Sequence, residues 1–224
     1  MRDSLKNSRL YEERFGFKER NSTFFFYLVL LAVLSLCITL LAHFTLCYYG
    51  VTVSGSSMCQ TLYSGENLLM RYVDKDYKAD YGDIIIVKVD HYTEFQGTGT
   101  QFLIKRLIAK SGDTVRCRSG VVEIDYGNDS MDDNFIPLDE PYAYYSRDKS
   151  TYEFGAYEVG EGEIFFLGDN RFNSADSRYN EYGSRLDRLY KETDIYGVVP
   201  DWALRHQKIL NVLFFRNSVE TGNE

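Results

Sequence analysis

Two short stretches carry side chains that could together perform nucleophilic chemistry. Ser57 lies among small residues in SGSSMCQTL, residues 54–62, and Lys105 lies in the apolar stretch QFLIKRLIA, residues 101–109. A serine hydroxyl attacks a carbonyl efficiently only when a nearby base takes its proton, and the usual base is histidine. None of the three histidines lies in a recognisable partner motif. A lysine can replace histidine when burial in apolar surroundings lowers its pKa.

The stretch around Lys105 offers such surroundings if it forms a strand. Side chains alternate between the two faces of a strand, so Lys105 shares a face with Leu103 and Leu107, while Arg106 lies on the other face. A lysine on a leucine face is held where the uncharged amine is favoured. The stretch also fits an edge strand on which the lysine charge discourages pairing with other chains. Both interpretations stay open from this stretch alone.

The region that must position these groups reads as a series of short strands. Its segments are β-branched or aromatic and are bounded by Gly, Asp or Asn turns, which predicts a mostly β domain. The predicted strands are residues 67–73, 82–89, 101–109, 114–117, 120–125 and 162–169. Residues 126–160, rich in Asp, Ser, Tyr and Gly, are expected to form an irregular excursion. Residues 209–215, ILNVLFF, are expected to form a core strand rather than a membrane-contact patch.

A long apolar run precedes this region. The 24 residues from Phe24 to Cys47 contain no Asp, Glu, Lys or Arg. As a helix they measure about 36 Å, enough to cross a hydrocarbon core of about 30 Å with some tilt. Apolar residues occupy every face of this helix, unlike a core helix, and no small-residue cleavage site follows it. We therefore expect one uncleaved transmembrane helix, residues 22–48.

The charges on either side of the span predict its orientation. Residues 1–21 carry six basic and four acidic side chains, whereas the part after the span carries 19 basic and 29 acidic ones. Because cationic flanks remain in the cytoplasm, we expect a cytoplasmic tail (1–21), the transmembrane helix (22–48) and an extracytoplasmic domain (49–224). The protein is thus predicted to cross the cell membrane once. The acidic domain argues against a nucleic-acid partner.

The four cysteines decide little. Two lie in the predicted span, and the other two, Cys59 and Cys117, could form one disulfide bond or remain free thiols. Their spacing matches no metal-binding motif, so we predict no metal site and no cofactor.

Four motifs, taken together, resemble a known enzyme family. SGSSMCQTL, GDIIIVKV, KRLIAKSGDTV and GDNRFNSADSR occur between residues 54 and 178 in the order and approximate spacing of type I signal peptidases. These membrane-anchored Ser-Lys proteases remove signal peptides from exported proteins, and the short chain most resembles their Gram-positive bacterial branch. The last motif contains the pattern G-D-N-R-x-x-S-x-D-S-R without a break. The resemblance implies an antiparallel β-sheet catalytic domain with one N-terminal transmembrane helix.

The resemblance also implies a role for individual residues. Ser57 matches the nucleophile, Lys105 matches the general base, and Ser174 matches a serine whose hydroxyl orients the lysine amine. Structural support near the site is implied for Asp169, Arg171, Asp176 and Arg178. The substrate and oxyanion site is expected to include Gly55, the backbone N–H of Ser57, and Met58.

The expected activity is that of a serine endopeptidase. Neutral Lys105 takes the Ser57 proton as the hydroxyl attacks the scissile carbonyl, then returns a proton to the leaving amine, and water later hydrolyses the acyl-enzyme. The expected partners are secretory precursors that carry signal peptides, together with membrane lipids. The ten residue steps from Cys47 to Ser57 reach at most about 35 Å, which keeps the serine near the outer membrane surface. Small side chains precede the cut in such precursors, so we expect shallow apolar pockets one and three positions before it.

Three positions depart from the family pattern. Gln60 and Ser111 each replace a common proline, and Gly55 stands where some relatives place a serine that helps bind the oxyanion. None of these changes removes a catalytic group. The alternative function is a non-catalytic, membrane-anchored binding scaffold derived from a signal peptidase. Gln60 supports it, whereas the retained Ser57, Lys105 and Ser174 argue against it.

Two further interpretations fit the sequence less well. The motif GDNRFNSADSR could be a simple turn or a calcium loop, but Arg171 and Ser174 stand where a calcium loop needs an oxygen ligand and a glycine. A cytosolic, self-cleaving Ser-Lys repressor would carry a DNA-binding segment in place of the apolar span.

Overall fold

The structure, a computed structural model, consists of two units divided between Cys47 and Tyr48. The described residues are 2–74, 76–89, 101–127, 134–178 and 190–214. The first unit is a single helix, α1, Arg2–Cys47. Its segment Ser22–Cys47 is long and apolar enough to cross a membrane, and none of its most apolar window is buried. The predicted apolar N-terminal helix is therefore confirmed.

The second unit is mostly β-structure. Its described strands are β1 (Tyr48–Thr52), β2 (Asn67–Tyr72), β3 (Ile84–Val89), β4 (Gln101–Lys110), β5 (Thr114–Arg118), β6 (Val121–Asp125), β7 (Ile136–Pro137), β8 (Phe154–Glu158), β9 (Glu163–Leu167), β10 (Tyr190–Lys191) and β11 (Ile195–Val199). Short 3-10 helices lie at Lys149–Thr151 and Glu192–Asp194. Two α-helices, α2 (Asp201–Arg205) and α3 (Gln207–Phe214), follow the last strand.

The described strands form two antiparallel sheets. The larger has the order β1-β2-β11-β3-β4-β9-β10, and the smaller has the order β7-β6-β5-β8. Every pair of named strands is antiparallel, which confirms the expected fold class. The long strand β4 pairs with β3 through its first six residues and with β9 from Arg106 onward. Among the described strands, residues 101–105 therefore pair with β3 alone, and their other edge has no strand partner.

Apolar side chains pack on both faces of the larger sheet. One face buries a cluster that includes Ile85 and Leu107, and the other buries a cluster that includes Met58 and Met70. A third cluster, which includes Phe165, joins β9 to the smaller sheet. Alternation along each strand sends successive side chains into different clusters. This arrangement explains why the strands are rich in β-branched and aromatic residues on both faces.

Five of the described strands were not predicted from the sequence: β1, β7, β8, β10 and β11. The expected excursion over residues 126–160 is irregular only in part, because β8 lies within it and pairs with β5. The central strand β11, IYGVV, was not among the predicted strands. Its Gly197 interrupts the apolar run that would otherwise indicate a buried strand. A Cβ at Gly197 would lie 2.9 Å from the backbone oxygen of Arg71, so the close approach of β2 requires a glycine there.

The prediction of a core strand at residues 209–215 is wrong. Residues 209–214 belong to α3, and residue 215 lies outside the described chain. The side chains of Ile209 and Val212, three residues apart on one side of this helix, are 58% and 67% exposed. A short apolar run does not by itself distinguish a strand from a helix, and here the helical spacing prevails.

Candidate active site

Strand β4 brings the Lys105 amine to the hydroxyl of Ser57. Lys105 Nζ lies 2.7 Å from Ser57 Oγ and also donates a 3.1 Å hydrogen bond to the backbone oxygen of Ile104. Only 3% of the lysine surface is exposed. A buried amine at hydrogen-bond distance from a hydroxyl has the geometry that a base and its nucleophile require.

Burial is the largest influence on the charge of this amine. Loss of water around the ammonium lowers the pKa of Lys105 to about 8. The carboxylates of Asp176 and Asp169 act against this shift by raising the pKa, and the guanidinium of Arg178 lowers it. About one amine in ten is therefore uncharged at pH 7, and most are uncharged above pH 9.

The segment that follows β9 holds the loop of Ser57 in place. The backbone N–H of Asn170 donates to the backbone oxygen of Ser57 at 2.9 Å, and Asn170 Nδ2 donates to the backbone oxygen of Ser56 at 3.0 Å. Asn173 Nδ2 donates to Ser56 Oγ at 2.8 Å. Both asparagines lie in GDNRFNSADSR, yet the sequence analysis gave neither a role. Their position within that motif was the available signal.

Gly55 and Met58 flank the serine in different ways. Gly55 has a φ of +89°, in the left-handed region that favours glycine, and a Cβ there would meet nothing within 4 Å. Its conformation, rather than lack of space, therefore accounts for the glycine. Met58, the residue after the serine, is 2% exposed and packs in the core cluster that includes Met70. Both residues line the same cleft as Ser57.

The residue after the lysine is held rigidly by Asp169. Arg106 Nε and Nη2 donate to the two carboxylate oxygens of Asp169 at 2.8 and 2.6 Å, and both residues are buried. Thr61 Oγ1 donates to the same carboxylate at 2.5 Å. Arg106 Nη1 donates to the backbone oxygen of Gly82, and the guanidinium lies 3.8 Å from the centre of the Tyr142 ring. This bidentate, stacked geometry fixes the direction of β4 at Lys105.

Asp176 and Arg178 close the turn after β9. Arg178 Nε and Nη2 donate to the Asp176 carboxylate at 2.6 and 3.0 Å, and the backbone N–H of Gly168 donates to it at 3.1 Å. Arg178 also donates to the backbone oxygens of Arg171 and Ser174 at 2.8 and 3.0 Å. These contacts tie both ends of the motif together, next to the lysine whose charge they influence.

Arg171 reaches a segment to which the sequence analysis gave no role. Its Nη1 and Nη2 donate to the Glu140 carboxylate at 2.8 and 2.6 Å, and their side chains are 0% and 6% exposed. Close by, the backbone of Tyr144 donates to Asp169 and accepts from Arg171, at 2.7 and 2.9 Å. The part of the chain around Glu140, inside the expected irregular excursion, thus supports the turn that holds Ser57.

Ser174 does not make the expected hydrogen bond to the lysine. Its hydroxyl is buried and has no hydrogen-bond partner among the described residues. A Cβ at Gly168 would collide with Ser174 Oγ and would lie 2.5 Å from the backbone oxygen of Ser57. Glycine at this position therefore lets the two serine-bearing segments approach each other. The orienting role of Ser174 stays a prediction.

A cleft of about 600 Å³ opens onto Ser57 and Lys105. Side chains of Met70, Ile86 and Ile104 give it an apolar lining. Strand β1 forms one wall and the start of β4 forms the other. Among the described strands β1 pairs with β2 alone, and residues 101–105 pair with β3 alone, so both walls present an unpaired backbone edge. An extended peptide can add to such edges through its own backbone.

Cysteine and metal chemistry contribute little to this arrangement. Cys59 and Cys117 are free thiols, and Cys117 Sγ donates to the backbone oxygen of Tyr152 at 3.3 Å. Burial raises the pKa of the Cys117 thiol to about 12. Within the described ranges, no group of three or more His, Cys, Asp or Glu residues could hold a metal ion.

Comparison with known proteins agrees with the motifs. The family model described as signal peptidase, peptidase S26, matches residues 25–201. Signal peptidase I of Bacillus amyloliquefaciens is 33% identical over 147 residues, which cover 62% of this chain and 67% of that relative. Signal peptidase I T of Bacillus subtilis strain 168 is 30% identical over 169 residues, covering 72% of this chain and 78% of the relative. The crystal structure of a signal peptidase I from Enterococcus faecalis V583 is 26% identical, with a TM-score of 0.39, and covers 55% of this chain and 98% of its own. The resemblance is thereby confirmed, and the chain belongs to the signal peptidase family, peptidase S26.

Proposed function

We propose that this protein is a membrane-bound serine endopeptidase that removes N-terminal signal peptides from exported precursors, with Ser57 as nucleophile and Lys105 as general base. The observation that carries the proposal is the 2.7 Å contact between a buried lysine amine and a serine hydroxyl that opens onto an apolar cleft. Membership of the signal peptidase family supports the same reaction.

The reaction follows from these two groups. Neutral Lys105 takes the hydroxyl proton while Ser57 Oγ bonds to the scissile carbonyl carbon. The resulting ammonium gives its proton to the departing amine, the carbon–nitrogen bond breaks, and an acyl-enzyme remains on Ser57. Lys105 then takes a proton from water, whose oxygen attacks the ester, and returns it to Ser57 Oγ as the hydroxyl leaves. The backbone N–H of Ser57 is the first candidate donor to the oxyanion.

Ser174 is proposed to position the base. Its buried hydroxyl lies close to the Ser57 backbone and has no hydrogen-bond partner in the described part of the chain. An unpartnered buried hydroxyl is costly, and a hydrogen bond to the lysine amine would satisfy it. Such a bond would hold the amine in the direction of the serine as the proton moves, in the way that the third member of a triad holds its base.

The shape and lining of the cleft suggest how a precursor binds. A precursor segment lies extended between β1 and the start of β4, and its backbone pairs with both free edges. The side chains one and three positions before the cut face the same apolar lining because side chains alternate along an extended chain. Small side chains at these two positions fit beneath the backbone of Gly55 and beside Met58.

The membrane arrangement is part of the same proposal. The helix over residues 22–48 anchors the protein among membrane lipids, residues 1–21 lie in the cytoplasm, and residues 49–224 lie on the outer face, where precursors emerge. The basic tail and the largely apolar segment of 26 residues, Ser22–Cys47, support this topology. Attaching a reagent that cannot cross membranes to single cysteines placed at each end of the chain tests it.

Cleavage of a labelled precursor by purified full-length variants tests the chemistry. Ser57→Ala and Lys105→Ala should each lower kcat/KM by about a thousandfold or more. Two controls on exposed residues, Ser119→Ala and Lys88→Ala, should cleave like the unmodified protein. Equal processing by all four variants would refute the assigned pair, whereas absence of cleavage by the unmodified protein would favour a scaffold without catalytic activity.

Specificity has a separate test. Precursors in which the alanines one and three positions before the cut are replaced by bulky residues should be cleaved at least tenfold more slowly, if the pockets beside Ser57 are as shallow as we propose. Undiminished cleavage of these precursors would contradict the proposed binding mode and leave the catalytic pair intact.

A further inference from the structure

Four aromatic side chains form a continuous row across the larger sheet. The aromatic row consists of Tyr49 on β1, Tyr72 on β2, Tyr196 on β11 and Phe102 on β4. Successive ring centres are 6.0, 5.3 and 4.8 Å apart. The four residues are 38–56% exposed, so each is covered in part and remains accessible to solvent. The reaction proposed above uses none of them.

The aromatic row belongs to the same cleft as the reacting groups but lies away from them. All four residues line the cleft together with Ser57 and Lys105. Phe102 precedes Lys105 by three residues on β4, which is about 10 Å along the strand. Ile104 and Met70 lie one strand period nearer to the reacting groups, on the same face as Phe102 and Tyr72. The cleft floor is thus aliphatic near the serine and aromatic at the other end.

We propose that the aromatic row is a subsite for an apolar side chain at the fifth residue before the scissile bond. This inference rests on the proposed function, because it takes the precursor to be extended along β4 with its cut at Ser57. Side chains one, three and five positions before the cut then face the floor of the cleft. The fifth side chain lies roughly 13 Å from the first along the extended peptide. The Phe102 ring extends outward from its backbone position and therefore reaches the fifth side chain.

The chemistry of the row indicates which side of the cut it binds. Upstream of the cleavage site a secretory precursor carries an apolar segment, whereas the exported protein downstream has no fixed composition. Aromatic faces bind aliphatic and aromatic side chains, whereas a carboxylate that leaves water for them loses hydration free energy. A row of four rings is therefore suited to the residue at which the apolar segment of the precursor ends.

Exposed aromatic rings can also bind at a lipid surface. The observations favour the peptide because the rings line the cleft that holds Ser57 and Lys105 and form its continuous floor. Tyr72 and Tyr196 also each contact two other rings of the row, which leaves only 38% of either side chain exposed.

The test uses the full-length protein in detergent micelles and a set of synthetic peptides that differ only at the fifth residue before the cut. The unmodified protein should cleave the leucine peptide with a kcat/KM about tenfold above that of the aspartate peptide, mainly through KM. Phe102→Ala and Tyr196→Ser should each reduce this ratio below about threefold. Tyr63→Ala, an exposed tyrosine outside the cleft, is the control and should keep the ratio.

Three results would overturn the inference. One is equal cleavage of the leucine and aspartate peptides by the unmodified protein; another is a ratio that survives both substitutions in variants that remain folded. A third is a loss of activity in Phe102→Ala that appears only with lipid vesicles and is the same for every peptide, which would assign the row to the membrane. Each of these leaves the proposed function standing, since that depends on Ser57, Lys105 and the residues one and three before the cut.

Discussion

Replacing Lys105 with methionine should make the protein more stable at neutral pH while abolishing cleavage. The ordinary lysine pKa of 10.5 falls to about 8 in the folded protein, mainly because the amine is buried. Between these two values the unfolded chain binds more protons than the folded one, so stability rises with pH there. Below about pH 8 the folded protein therefore bears the full cost of a charge in an apolar site. Methionine, an unbranched apolar side chain, removes that cost.

The size of the effect follows from the two pKa values. Lowering the Lys105 pKa from 10.5 in the unfolded chain to about 8 in the folded protein reduces the free energy of unfolding by about 3 kcal/mol at pH 7. The gain from Lys105→Met should shrink to about 2 kcal/mol at pH 9 and about 1 kcal/mol at pH 10, as the unfolded lysine also loses its proton. The control Lys88→Met changes an exposed lysine on the adjacent strand β3 and should shift stability by less than about 0.5 kcal/mol at each pH.

Denaturant titration in detergent micelles measures these differences. Trp202 in α2 is the single tryptophan of the chain, so its fluorescence reports unfolding of the second unit alone. A Lys105→Met variant that is no more stable at pH 7, or one whose gain is the same at pH 7 and pH 10, would refute the account of a lysine whose charge is suppressed by burial.

Three further predictions concern pH, ion pairs and thiols. Because only the neutral amine accepts a proton, kcat/KM should rise about tenfold between pH 7 and pH 9, with a midpoint near the pKa of about 8 for Lys105; a flat profile would contradict its role as the base. Glu140→Gln removes the partner of a buried guanidinium and should lower the free energy of unfolding by about 3 kcal/mol or more, whereas Glu123→Gln, in a more exposed pair, should cost about 1 kcal/mol or less in the same titration. Iodoacetamide at pH 8 should label Cys59 and leave Cys117 unmodified, since burial raises the pKa of that thiol to about 12; peptide mapping that finds both labelled would contradict the packing around it.

The sequence predicted the parts of the site that depend on local pattern. Alternation along QFLIKRLIA placed Lys105 on a face shared with Leu103 and Leu107, where it is buried, and the run of apolar residues before residue 48 indicated the helix. The resemblance of the four motifs to signal peptidases implied that Ser57 and Lys105 act together, and the structure places their reacting atoms 2.7 Å apart. The strand and the helix are visible in the sequence because their periods act over a few residues.

The remaining features depend on partners that are distant in sequence. Glu140 looks like a solvent-exposed charge in the sequence, and only the packing of its segment against the turn makes it the buried partner of Arg171. Asn170 reads as a turn residue, whereas its amide holds a loop 114 positions earlier in the chain. Gly197 interrupts the apolar run of the central strand β11, so the strand was not predicted. This glycine allows β2 to approach closely, a role that cannot be inferred from neighbouring residues.

Asn170 and Asn173 hold the loop of Ser57, so the nucleophile is positioned only after this later part of the chain has folded. A nascent chain that has reached Arg106 already contains both the hydroxyl and the amine, but more than sixty further residues must leave the ribosome before the amides that immobilise the loop exist. The loop that carries Ser57 therefore gains its bracing contacts only after the later motif has been made.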